Sequence, residues 1–95
     1  QLAGDEMLMV DLRDRRELDS GVVPGAMLLH LGKLLERSSE LPADREIVLF
    51  CGSGYRGGTA ASMLRNSGIE NVRVMLGGFG SWAANGYPVE RFRSV

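Results

Sequence analysis

The chain has 95 residues, 44% apolar and 24% charged, with a net charge of −1, which is the make-up of one globular domain of modest core and stability. A balance so near zero excludes a general attraction to nucleic acid or other polyanions, so any affinity for anions must be local. The apolar stretches fall far short of a membrane span, and one cysteine with one histidine excludes an internal disulfide and leaves no set of metal ligands.

In chain order, residues 1–6 lack the basic and then apolar run of a secretory leader. With no initial methionine, the sequence reads as a processed chain or a segment of a longer protein, in a reducing, cytoplasmic setting. Met7–Leu8–Met9–Val10–Asp11–Leu12 predicts a short buried strand. Residues 14–20 are charged and helical in propensity, and Gly21 can end them. Val23–Pro24–Gly25–Ala26 signals a turn, and Met27–Leu28–Leu29 a second strand. Residues 30–40 predict a helix with Leu31, Leu34 and Leu35 on one face. Ile47–Val48–Leu49–Phe50 is a continuous apolar run, as in a central parallel strand. Residues 57–66 predict a helix through Ala60, Ala61 and Leu64, with Gly68 past its end. Residues 72–76 predict a strand and residues 79–85 a short helix.

Strands alternating with helices imply an α/β sandwich with a mostly parallel sheet. Ligands of such sheets sit beyond the carboxyl ends of the strands. The lone cysteine, Cys51, stands at such an end, followed by Gly52–Ser53–Gly54–Tyr55–Arg56–Gly57–Gly58 and then a helix.

Three motifs overlap there. Gly52, Gly54 and Gly57 spell G-x-G-x-x-G, but the next strand ends at Met75–Leu76–Gly77 without the acid a dinucleotide site requires. Gly52 to Thr59 has P-loop spacing, but Gly58 stands where the phosphate-binding lysine belongs. The third motif, Cys51-x4-Arg56, uses every residue type present. Loop amides and a helix N-terminus favour a thiolate. Successive N–H groups can cradle an anion, Arg56 adds a planar fork for oxyanions, and the glycines allow close backbone approach. The competing reading is a buried thiol that merely fills space at a strand end.

The loop resembles the active-site loop of rhodanese domains, a family of sulfurtransferases, and the resemblance spans most of the chain. Val10–Asp11–Leu12–Arg13 with Glu17 resembles the family's D-x-R and downstream glutamate. Gly21–Val22–Val23–Pro24–Gly25–Ala26 resembles its G-H-I-P-G-A, with Val22 in place of the histidine, which implies a changed surface. Leu76–Gly77–Gly78–Phe79–Gly80–Ser81–Trp82 and Gly86–Tyr87–Pro88–Val89 resemble its closing segments. His30 stands where the family often has proline, and the short lead before Met7 implies a truncated first strand and helix.

The resemblance implies a single domain over residues 1–95, a three-layer α/β/α sandwich, and ping-pong sulfur transfer through a Cys51 persulfide. The amides of Gly52, Ser53, Gly54, Tyr55 and Arg56 would bind the anionic donor, Tyr55 as a pocket wall, with Gly57 and Asp11 supporting the loop. No cofactor or metal is implied. The partners would be a small anionic sulfur donor such as thiosulfate or a persulfide, and a cyanide or thiol acceptor. A protein sulfur acceptor or a fused domain, as in persulfide dioxygenase fusions, is the alternative. Six residues from Cys51 to Arg56 match the sulfur-transferring members; the related phosphatases and arsenate reductases carry one more. Cys51–Gly52–Ser53–Gly54 is similar to mercaptopyruvate-using relatives, and Arg56 to thiosulfate- or persulfide-using ones.

Outside the loop, Asp11 reads either as a carboxylate that orients the cysteine loop or as a local turn acceptor beside an Arg13–Glu17 ion pair. Phe79 and Trp82 read as core anchors, His30 as a partly exposed helix start, and Arg91 with Arg93 as a solvated basic tail.

Overall fold

The computed structural model describes residues 7–53 and 55–92. Four strands form one parallel sheet in the order β2-β1-β3-β4. They are β1 (Met7–Asp11), β2 (Met27–Leu28), β3 (Glu46–Phe50) and β4 (Val72–Val74). Two α-helices follow the strands on the β3 side, α1 (Tyr55–Asn66) and α2 (Gly78–Ala84). This is the expected α/β architecture with a parallel sheet.

Alternation along β3 separates two apolar layers. Ile47, Leu49 and Cys51 face α1 and pack with Val10, Leu12 and Leu64. Phe50 faces the opposite way, toward Val23 and Phe79 of α2, with Met75 and Trp82 alongside. Phe79 is buried and anchors this layer, while Trp82 is half-buried at its edge. The helices therefore cover opposite faces of the sheet. Gly57 explains how closely α1 seats: a Cβ there would lie 2.6 Å from Val74 Cγ1 on β4.

Two expected helices are shorter and tighter. Residues 30–40 form 3-10 turns at Leu31–Lys33 and Ser38–Glu40. Gly32 carries a propensity cost inside a helix. Ser38 bonds the Leu35 carbonyl through its hydroxyl at 3.0 Å, an alternative to the regular ladder. Only Leu34 of the expected apolar face is fully buried, and Leu35 is 49% exposed. Residues 14–20 likewise contribute a 3-10 turn, Glu17–Ser20, ended by Gly21 at φ 115°. Val22 is buried and forms a bridge with Glu90; contrary to the expectation of a changed surface, the position that differs from the motif faces inward. His30 is exposed, and Arg93 and residues 1–6, on which the expected truncation of the first strand and helix falls, lie outside the described residues.

The chain leaves β1 toward β2 on one side, and later leaves β3 toward β4 on the other. The loops after β1 and β3 thus diverge from neighbouring strand ends, with Asp11 paired in register to Phe50. This is the crevice where open α/β sheets bind ligands.

Candidate active site

Cys51 follows the last residue of β3 and keeps its phase, so its side chain turns into the layer beneath α1. It is fully buried. Its sulfur also accepts the backbone N–H of Arg56 at 3.3 Å. That amide belongs to the first turn of the 12-residue α1, where N–H groups have no partner within the helix and the dipole is positive. Both readings of the cysteine thus find a feature here, apolar packing on one side and a directed amide on the other.

The loop is held from below by α2. The Phe79 N–H donates to the Cys51 carbonyl at 2.7 Å, and the Gly80 N–H to the Gly52 carbonyl at 3.0 Å. This contact requires Gly78, whose φ is +58° and where a Cβ would clash with the Cys51 carbonyl oxygen at 2.2 Å. Gly78 and Gly80 are not among the residues the sequence pattern points to. The Gly77–Gly78–Phe79–Gly80 run was the available signal, since closely spaced glycines mark close backbone approach.

The Arg56 guanidinium is not an open fork. Nη1 donates to Glu17 Oε1 at 2.6 Å and Nη2 to Glu17 Oε2 at 2.7 Å, a bidentate pair of the strong type. The Arg56 hydrogen bonds, reinforced by the Asp14 amide and by charge from Arg56 and Arg13, hold the Glu17 carboxyl at about 2. The Arg56 pKa is raised by Glu17 first and by the Cys51 sulfur to a lesser degree. Glu17 is itself fixed by reciprocal bonds with Asp14: each backbone N–H donates to the other's carboxylate at 3.1 Å, in the manner of a capping box. The pair lies at the mouth of the loop, because a Cβ on Gly52 would come 3.2 Å from Glu17 Oε2 and 3.5 Å from Arg56 Nη2.

The expected Arg13–Glu17 ion pair is therefore corrected: the partner of Glu17 is Arg56. Arg13 instead pairs with Asp11, Nη2 to Oδ2 at 2.8 Å, with both side chains buried. Arg13 also donates to the Gly21 carbonyl at 2.8 Å and the Glu17 carbonyl at 3.2 Å, and stacks on the Phe79 ring 3.9 Å from its centroid. Among the described residues, the Asp11 carboxylate accepts from Arg13 alone, through its backbone N–H, Nε and Nη2. Of the two expected readings, Asp11 is thus the local turn acceptor, and it braces the segment that carries Glu17 through Arg13.

Of the other expected residues, Gly52 is half-buried beside the ion pair and Ser53 is exposed. Tyr55 is 83% exposed, so its ring points to solvent and covers neither the core nor the sulfur. Gly57 lets α1 sit against β4. Gly54 lies outside the described residues. Among the described residues, no three His, Cys, Asp or Glu side chains could hold a metal ion together, and no helix is long and apolar enough to cross a membrane.

Residues 1–85 match the family description "Rhodanese-like domain". A protein named sulfurtransferase from Allochromatium vinosum is 35% identical over 85 residues, covering 90% of this chain and 79% of its own. The thiosulfate sulfurtransferase GlpE of Pseudoalteromonas translucida is 33% identical, covering 92% of this chain and 84% of its own. A rhodanese-related protein from Thermoplasma volcanium superposes with a TM-score of 0.82 at 28% identity, over 90% of this chain and 84% of that one. A parallel α/β sheet with a cysteine loop at its switch point, matched along most of its length to proteins named as sulfurtransferases, makes this chain a member of the rhodanese-like domain family.

Proposed function

We propose that the chain is a sulfurtransferase that moves sulfane sulfur from an anionic donor, thiosulfate or a persulfide, to cyanide or a thiol through a persulfide on Cys51. With thiosulfate, the Cys51 thiolate attacks the outer sulfur. The S–S bond of the donor breaks, its electron pair leaves with sulfite, and Cys51 carries the new persulfide anion. Cyanide then takes the outer sulfur as thiocyanate and restores the thiolate. Each half-reaction conserves charge and needs no redox partner, and the two together give ping-pong kinetics.

The observation that carries this reading is the Arg56 N–H aimed at the Cys51 sulfur from the first turn of α1. A donor fixed at that point stabilises negative charge on the nucleophile, and equally on a persulfide, without reorganising during the reaction. The carbonyls of Cys51 and Gly52 are tied to α2, which supports a loop held in position before the donor arrives.

The test is intact mass spectrometry of the protein after thiosulfate, mercaptopyruvate or a low-molecular-weight persulfide. A gain of one sulfur atom in the native protein and none in Cys51→Ser, together with release of thiocyanate on adding cyanide, is the expected result. Turnover retained by Cys51→Ser rules the mechanism out.

The burial of Cys51 favours a second reading, in which the domain carries the persulfide to a protein acceptor. A persulfide shielded from water would outlast one exposed to it. In that case the sulfur gain persists for long periods with negligible turnover on cyanide.

A further inference from the structure

We infer that Glu17 sets the charge preference for the sulfur donor: by occupying the Arg56 fork, it makes the site discriminate against doubly charged donors in favour of singly charged ones. This rests on the sulfur-transfer reading above. Both terminal nitrogens of Arg56 are taken by the two Glu17 oxygens at 2.6 and 2.7 Å, so a donor oxyanion cannot take that terminal edge of the guanidinium without displacing a carboxylate. The pair sits against Gly52, at the entrance to the sulfur and not remote from it.

The charges around the sulfur point the same way. Asp11 and Arg13 cancel in their own buried pair. Glu17 cancels Arg56. A Cys51 thiolate then adds a negative charge to the centre, facing the partial positive charge of the Arg56 amide at the helix terminus. Thiosulfate brings two negative charges to that centre. A thiosulfonate anion such as methanethiosulfonate presents the same outer sulfur with one oxyanion replaced by a methyl group. It undergoes the same displacement, with sulfinate leaving in place of sulfite. At an effective dielectric between that of a protein surface and that of bulk water, one unit charge several ångströms away changes the relative rate of the two donors roughly tenfold.

Glu17→Gln removes the charge, keeps the shape and retains an oxygen that can accept from Arg56. The measurement is kcat/KM for methanethiosulfonate and for thiosulfate, with cyanide as acceptor, at low and high salt. We expect Glu17→Gln to lower the ratio of the two about tenfold, by improving KM for thiosulfate, and Glu17→Asp to stay near the native ratio. In the native protein, added salt should lower the same ratio by screening the repulsion, a readout that needs no variant. A ratio unmoved by Glu17→Gln, an equal loss with both donors, or a native ratio that rises with salt overturns the assignment, since Glu17 would then be a structural clamp only. If native protein gains no sulfur from either donor by mass, the sulfur-transfer reading itself has failed, and this inference falls with it.

Discussion

Gly78 lies directly against the carbonyl of Cys51, so that a methyl group on Gly78 would come within 2.2 Å of that oxygen. The contact allows the Phe79 and Gly80 amides to hold the Cys51 and Gly52 carbonyls, so the cysteine loop and α2 behave as one unit. Gly78 is also left-handed, at φ +58°. Gly78→Ala combines a left-handed penalty with a backbone clash and is expected to cost about 3 kcal/mol. Urea denaturation measures the cost. A faster reaction of Cys51 with an alkylating reagent, at a urea concentration where the variant is still folded, would show the loop detached from α2.

Gly57 makes a comparable approach on the other face of the sheet, but to a side chain instead of backbone. Gly57→Ala places a methyl 2.6 Å from Val74 Cγ1, and overpacking of this kind costs about 1–3 kcal/mol. Here relief is available. Val74→Ala in the same chain removes the opposing methyl, so the double variant should be more stable than Gly57→Ala alone. Strictly additive losses would show that the cost at Gly57 comes from elsewhere in α1.

Asp11→Asn keeps the size of the side chain but leaves the buried Arg13 guanidinium without its counter-charge. Breaking one partner of a buried pair typically costs about 3–5 kcal/mol, and the remaining carbonyl acceptors from Gly21 and Glu17 place this case at about 3 kcal/mol. Because Arg13 braces the turn that presents Glu17, the loss should extend to the site, with sulfur uptake by Cys51 falling even at temperatures where the variant is folded. Arg13→Lys is not a substitute. It lacks the planar fork that reaches two carbonyls and a carboxylate together, so it should also be destabilised.

The position of Cys51 is legible in sequence because strand ends and glycine-rich loops are local events: an apolar run stops at Phe50 and three glycines follow at positions 52, 54 and 57. Its environment is less legible. Glu17 follows Arg13 by four residues, a spacing that brings side chains together on an α-helix. Arg13 instead lies in irregular backbone ahead of the 3-10 turn Glu17–Ser20, so the two residues do not share a helix and that spacing does not set neighbours. Its true partner is 39 positions away in sequence, brought close by the order of the strands. The Gly78 contact is hidden for the same reason, since nothing local to residues 77–80 names the backbone they approach. Residues 30–40 show the opposite failure: a leucine pattern of helical period is interrupted by Gly32 and by Ser38, whose hydroxyl bonds the Leu35 carbonyl.

The Glu17–Arg56 pair also makes stability depend on acid. The Glu17 carboxyl is lowered to about 2 from an ordinary 4.5, chiefly by the Arg56 hydrogen bonds. A group depressed in the folded state adds stability that is complete above its unfolded value and is lost as pH falls from about 4.5 toward about 2. The side chain is one-third exposed, and solvent screening reduces the contribution to about 1 kcal/mol. Chemical denaturation of native protein and Glu17→Gln at pH values across this window should therefore converge. Native protein is the more stable above it, and the difference shrinks as acid protonates the carboxylate. A difference that stays constant across the window would mean that the stabilisation comes from hydrogen-bond shape alone and not from the charge on Glu17.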